Sequence, residues 1–214
     1  MSTFNDIDIT CEECGHKFRG TIWTAVHAGE DPELKELLLG GELNLVMCPE
    51  CSHVAYQDHF VLYQDTGAEL AAYIYPESQQ SEANTLAAMM RHSFREAQEI
   101  YEPKDRKDYE PVLLFGLESL IEMLQREKLR AEQSQIAQEL CREHKIPIVL
   151  LRPSEARQRG TMRVLPRAGK SSTTIRQDVL EGIGKLLELN PALDLYVQLK
   201  KSIENDRQWT LERR

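Results

Sequence analysis

No uninterrupted apolar run in this chain approaches the roughly 18 residues that a membrane-spanning helix needs, which excludes a membrane span. The opening Met-Ser-Thr-Phe-Asn-Asp-Ile-Asp has neither a basic start nor an apolar stretch, so no secretory signal is visible and a reducing cytoplasm is expected. No repeat of solenoid length occurs. The nucleophile elbow G-x-S-x-G, the metalloprotease H-E-x-x-H and a Rossmann glycine set are also missing. Gly169-Lys170-Ser171 looks like the end of a phosphate loop, but Val164 stands where that motif requires glycine. No residue is therefore assigned to catalysis or to an organic cofactor.

Positive charge is also scarce, and unevenly placed. The 26 Lys and Arg against 35 Asp and Glu give a net −9 over 214 residues. Residues 1–144 hold 12 basic against 27 acidic side chains, whereas residues 145–214 hold 14 against 8. An acidic body repels a phosphate backbone and argues against broad nucleic-acid binding. The basic stretch 152–176, with Arg152, Arg157, Arg159, Arg163, Arg167, Lys170 and Arg176 against Glu155 alone, keeps that possibility open. It has no aromatic platform for bases, and a solvated loop or a contact with acidic groups of the protein itself fits it better.

Patterning separates a β-rich beginning from a helical remainder. Arg19–Ala28 is β-branched and aromatic, as a strand requires. Asp31-Pro32 then opens a short helix, with Leu34, Leu37 and Leu38 on one face and Gly40-Gly41 as its stop. Leu43–Met47 returns as a strand. Val54–Gln64 and Glu69–Tyr75 read as a hairpin turning near Asp65-Thr66-Gly67. Beyond Pro76 a polar joint leads to helical spacing of Leu86, Met90, Phe94 and Tyr101. A second stripe, Leu113, Leu117, Leu120, Ile121 and Leu124, fades into Gln125–Gln138, so one long helix or two abutting ones pack as a hairpin with the first. Ile146–Leu151 is a short strand, 152–172 a basic loop, and two helices follow, carried by Ile175, Val179, Ile183 and Leu186 and by Leu193, Val197 and Ile203. The first of them is capped near Thr173 or Thr174.

The chemistry sits in the cysteines. Ile9-Thr10-Cys11-Glu12-Glu13-Cys14-Gly15-His16 and Val46-Met47-Cys48-Pro49-Glu50-Cys51-Ser52-His53 repeat one pattern: a β-type approach, C-x-x-C, a small residue, then His. Two intervening residues let a tight turn aim both sulfurs at one ion. The small residue lets the backbone fold back, so that its amides donate to the thiolates. Two such knuckles facing each other offer the four sulfurs that a closed zinc site takes. Cys11, Cys14, Cys48 and Cys51 are the expected ligands of one structural Zn2+, with Lys17 and Arg19 near enough in sequence to offset charge. A redox pair is disfavoured because neither C-x-x-C opens a helix in a β-α-β setting. His16 and His53 are read as surface or supporting residues. Asp58 and His59, adjacent on an expected strand, point to opposite faces and cannot share a cleft. Cys141 is read as a core residue.

These knuckles, together with Lys17-Phe18, Asp31-Pro32-Glu33-Leu34-Lys35, Gly41-Glu42-Leu43-Asn44 and Leu62-Tyr63-Gln64-Asp65, resemble the CpXC family, prokaryotic proteins named for Cys-Pro-x-Cys. Glu12 stands where the family commonly has Pro, and Ser52 where it commonly has Gly; neither change removes a ligand. The resemblance is good over 9–76 and extends to about 144. It implies the metal site and the fold, and no reaction.

The expected fold is α+β: a zinc-ribbon-like antiparallel β-domain with an inserted short helix over 1–76, a helical hairpin over 77–144, and a strand, basic loop and helices over 145–214. The expected role is a zinc-stabilised, non-enzymatic module for interaction with another protein or for self-association. A pocket enzyme and nucleic-acid binding through 152–176 are the alternatives.

Overall fold

The computed structural model describes residues 1–169 and 174–211 and is of mixed α+β class. It divides into two compact units, Met1–Gln125 and Arg126–Arg214.

The first unit is built on a five-stranded sheet of order β1-β2-β5-β6-β7, from strands Thr3–Thr10, Lys17–His27, Val61–Asp65, Leu70–Tyr75 and Val112–Phe115. Pairing is antiparallel in β1–β2 and β5–β6 and parallel in β2–β5 and β6–β7, so the sheet is mixed. Side chains alternate across it. On β6, Leu70, Ala72 and Ile74 meet Leu34 and Leu38 of helix α1 (Pro32–Leu39) and Leu117, Leu120 and Leu124 of helix α3 (Leu117–Glu143). Ala71 and Tyr73 meet Met90 and Phe94 of helix α2 (Ala83–Glu99) on the other side. Fully buried side chains such as Ile74 and Leu120 each contribute about 1.5–3 kcal/mol by leaving water.

Three sequence expectations change here. Strand β1 was visible only at Ile9-Thr10, because the Asn and Asp residues along Thr3–Thr10 are poor strand formers. As the outermost strand it can face them to solvent, where charge also discourages edge pairing. The expected strand Val54–Gln64 is two: β4 (Val54–Tyr56) pairs with β3 (Leu45–Met47) in a separate hairpin, and β5 enters the main sheet. Helices α2 and α3 are not a simple hairpin, since Val112–Phe115, read as the head of the helical stripe, forms β7 beside β6. Gly116, at φ 71°, ends that strand and releases the chain into α3. From there α3 is one continuous helix.

The second unit comprises the later part of α3, the hairpin β8–β9 (Ile148–Leu150 and Val164–Pro166), and helices α4 (Pro153–Gln158), α5 (Ile175–Leu189) and α6 (Asp194–Asn205). Residues 152–172, expected as a loop, thus contain a helix and a strand. Pro153 occupies the first turn of α4, where its missing N–H costs nothing. Val164 and Leu165 are buried in a core shared with Val179, Ile183, Leu186 and Ile203. Gly182 lets α5 lie on β9: a Cβ there would fall 2.3 Å from the Pro166 carbonyl oxygen. Thr174 caps α5 by accepting from the Gln177 amide at 3.3 Å; Thr173 lies outside the described residues. Cys141 is a core residue, and burial pushes its thiol up to about 11.

Candidate metal centre

The first C-x-x-C turn closes the β1–β2 ribbon and the second closes the β3–β4 hairpin. The two turns share one backbone solution. The Cys11 amide donates to the His16 carbonyl (2.9 Å) and the Gly15 amide to the Cys11 carbonyl (2.9 Å). In the second, Cys48 donates to His53 (2.8 Å) and Ser52 to Cys48 (2.9 Å). The residue after each second cysteine is left-handed, Gly15 at φ 71° and Ser52 at φ 59°. The small residue inferred from sequence is therefore a conformational requirement, met freely by glycine and against a penalty by serine.

Two features bring the tips together. Val46 of β3 packs over Gly20 of β2, where a Cβ would lie 3.0 Å from its Cγ1 and 2.5 Å from Ile9 Cδ1. Asn44, buried and at φ 61°, clamps the hairpin to β2 with its side-chain amide. Its Oδ1 accepts from the Trp23 amide at 2.7 Å and its Nδ2 donates to the Trp23 carbonyl at 3.1 Å, imitating a strand neighbour. Nothing in the C-x-x-C pattern itself points to Asn44. The strand begins at Leu45 and not at Leu43 as expected, and the available signal was an Asn inside that stretch, since Asn tolerates the left-handed region better than most residues.

The result is a cluster of Cys11, Cys14, Cys48 and Cys51 whose sulfurs all lie within 4.8 Å of one another. Cys11 and Cys51 Sγ are 3.6 Å apart, Cys14 and Cys48 Sγ 3.7 Å. Four sulfurs set tetrahedrally at about 2.3 Å from one ion have edges of about 3.8 Å. In each knuckle the first cysteine is buried and the second exposed. The Cys14 amide leads in lowering the Cys11 thiol to about 6, helped by the Glu13 amide against burial. The His53 amide favours the Cys51 thiolate, but desolvation and the three neighbouring sulfurs outweigh it and push that thiol up to about 12. At Cys14 the His16 amide is likewise outweighed by desolvation and by Cys11 and Cys48. Negative charge gathering on neighbouring sulfurs is self-opposing, and a cation among them offsets it. That donor set fits a metal ion.

The other sequence candidates do not join it. His16 is exposed and stacks with Phe18 at 6.3 Å between ring centres. His53 and His59 border a recess of about 230 Å3 beside Cys11 and Cys48, outside the sulfur cluster. Arg19 faces Asp8 across the ribbon at 3.8 Å, and Lys17 is exposed. Asp58 and His59 lie in the irregular link between β4 and β5, not on a strand, so alternation does not govern them. Asp58 instead accepts from the Glu77 amide at 3.1 Å.

In the basic stretch, Arg157 approaches Glu127 at 3.5 Å and Arg159 the Thr210 carbonyl at 3.4 Å. Arg167 pairs with the buried Asp178 at 2.5 Å. Arg176 holds the carbonyls ending α6, with Ile203 at 2.8 Å and Glu204 and Asp206 at 3.1 Å. These four cations serve the protein's own acceptors. In the phosphate-loop look-alike, the Gly169 amide donates to Asp178 at 2.9 Å, and Lys170 and Ser171 lie outside the described residues. Among the described residues no helix is long and apolar enough to cross a membrane.

No curated protein and no solved structure matches the chain. A family profile described as CpXC protein matches residues 9–141, spanning both knuckles, the sheet of the first unit except most of β1, and most of α3. With four cysteines clustered between its two knuckles, the chain belongs to the CpXC family.

Proposed function

We propose that this protein is a non-enzymatic interaction module whose first unit is held in shape by one structural Zn2+. The observation that carries the reading is the closed set of four cysteine sulfurs. With all four tetrahedral positions taken by cysteine, no position remains for water or substrate, which is the arrangement of structural rather than catalytic zinc. Zinc is favoured over the hard cations because thiolate is a soft ligand. Iron suits the same tetrahedron, so the metal itself must be read out. Native mass spectrometry of never-chelated protein is expected to give one zinc per chain. Two irons, a coloured iron form or metal-free folded protein would each remove the zinc reading. For the interaction role, affinity purification of the full chain is expected to return the same protein repeatedly. A monomer that returns none counts against it.

A reaction in a cleft is the second reading, motivated by a recess of about 350 Å3 bordered by Tyr56, Asp58, Glu77 and Glu118. It is the weaker one: no imidazole or thiol lines that recess, and Asp58 is turned to the Glu77 backbone.

A further inference from the structure

The β3–β4 hairpin is turned inside out in its polarity. Its register sets Leu45 opposite Tyr56 and Met47 opposite Val54, and period-two alternation puts all four on one face. That face is the outward one: Leu45 is 43% exposed, Met47 62%, Val54 52% and Tyr56 41%. The inward face is Val46 and Ala55, with Val46 over Gly20. A hairpin serving only to present cysteines would place polar residues outward. A contiguous apolar face left in water marks a contact surface.

At Tyr56 this face runs into the cleft of about 350 Å3, whose apolar walls include Leu38, Leu43 and Ile121 and whose charged groups are Asp58, Glu77 and Glu118. Glu77 is seated there because Gly116 has no side chain; a Cβ at Gly116 would lie 2.8 Å from Glu77 Oε1. Among the described residues no salt bridge neutralises these three carboxylates. An apolar wall ending in carboxylates suits a long cationic side chain, which lays its methylene stem on apolar surface and keeps its head at a charged rim.

We propose that the outward face of β3–β4 and the adjoining cleft form one docking surface for a basic, apolar segment of another protein. Alternate apolar side chains of that segment cover Leu45, Met47 and Val54, and a Lys or Arg passes Tyr56 into the cleft. Charge argues against a second copy in this place. Residues 1–125 carry 8 Lys and Arg against 23 Asp and Glu, and two such faces would bring unneutralised carboxylates together. The proposal deepens the interaction-module reading and rests on it.

The test uses the full-length, metal-loaded chain and three synthetic probes: acetyl-Lys-Leu-Lys-Val-Lys-Leu-amide, the same peptide with Glu for Lys, and the same with Gly for Leu and Val. Amide chemical shifts are expected to move at Leu45–Met47, Val54–Tyr56 and Gly116–Glu118 with the first probe and not with the second. The third is expected to bind more weakly than the first. Met47→Ser with Val54→Ser weakens the first probe roughly tenfold or more. Glu77→Gln with Glu118→Gln does the same and flattens the salt dependence. Equal binding of the acidic peptide, shifts scattered over other surfaces, or no binding at millimolar peptide would overturn the proposal. So would a dimer that Met47→Ser dissolves in sedimentation velocity, which would give the face to a second copy. If a protein captured by wild type is captured equally by Met47→Ser/Val54→Ser, the module reading stands and this surface falls. Peptide binding at this face with no protein captured supports the surface and counts against the module reading.

Discussion

The two cysteine knuckles make the same turn on very different supports. The first ends a ribbon of eight and eleven residues whose second strand is also paired into the main sheet. The second ends a hairpin with three residues in each strand. Hairpins that short have little stability of their own. The second knuckle therefore depends on its neighbours: the Asn44 clamp, Val46 over Gly20, and any ion held between the tips. The first knuckle is a fixed post and the second a part fastened to it, so the proposed metal would act as a fastener for β3–β4 more than for β1–β2.

The largest expected effect comes from removing the ion, since metal binding in four-ligand structural sites is worth on the order of 10 kcal/mol in apparent terms. If the two knuckles differ as argued, chelation should abolish amide-exchange protection in Leu45–Met47 and Val54–Tyr56, fray β1–β2 only near Thr10 and Lys17, and leave α5 and α6 unchanged. Equal loss along the whole of β1 and β2 would break the comparison. Within each knuckle, replacing the buried first cysteine should do more harm than replacing the exposed second one. Cys48→Ser leaves a polar hydroxyl in a dry place, whereas Cys51→Ser leaves one near water. Metal stoichiometry and thermal denaturation of the two variants check this ordering.

Asn44→Ala comes next. Two hydrogen bonds are lost and the Trp23 amide and carbonyl are left unpaired, which costs about 2 kcal/mol. Asn44→Gly separates the causes: it keeps the left-handed backbone available and removes only the amide. If Gly restores the stability that Ala loses, Asn44 matters for its φ angle and not as a clamp. The expected result is partial rescue in denaturant unfolding, together with weaker metal retention.

How much of this was legible in the sequence follows from the range of each interaction. The convergence of the four cysteines was readable because C-x-x-C states its geometry within four residues and occurs twice. The turn of β5 into β6 was readable from Asp65-Thr66-Gly67, and Asp65 indeed accepts from the Ala68 amide at 3.0 Å. Helix α1 was readable too, but its expected cap was not used as such. Asp31 makes no side-chain cap and accepts instead from the Ser2 amide at 3.1 Å. Strand β7 was hidden because Val-Leu-Leu-Phe runs straight into a helical stripe, and a short apolar run has no period of its own. The Arg-rich stretch was legible in kind, since contact with the protein's own acidic groups is one of its two favoured readings, but its partners were not. Its cations look like a surface feature until Asp178, 11 residues beyond Arg167, is seen buried beside it. The outward polarity of β3–β4 could not be read at all, because alternation gives two faces without saying which one meets the protein.

The smallest prediction tests the knuckles against each other most directly. Gly15 and Ser52 occupy equivalent left-handed positions, and a Cβ at Gly15 would meet nothing within 4 Å. Exchange at these sites therefore changes backbone preference and little else. Ser52→Gly should stabilise the metal-loaded protein by about 0.5–1 kcal/mol, the left-handed penalty less the extra freedom glycine gains when unfolded. Gly15→Ser should cost a similar amount. Because that strain is present only in the closed turn, it is linked to metal binding, and 1 kcal/mol corresponds to about fivefold in affinity. Competition against a chromogenic chelator should rank Ser52→Gly above wild type and wild type above Gly15→Ser. If the double exchange returns to wild type, the two turns are energetically equivalent and their difference lies in their supports. If Ser52→Gly alone has no effect, the serine hydroxyl compensates its own backbone strain, and the second knuckle is not the weaker turn.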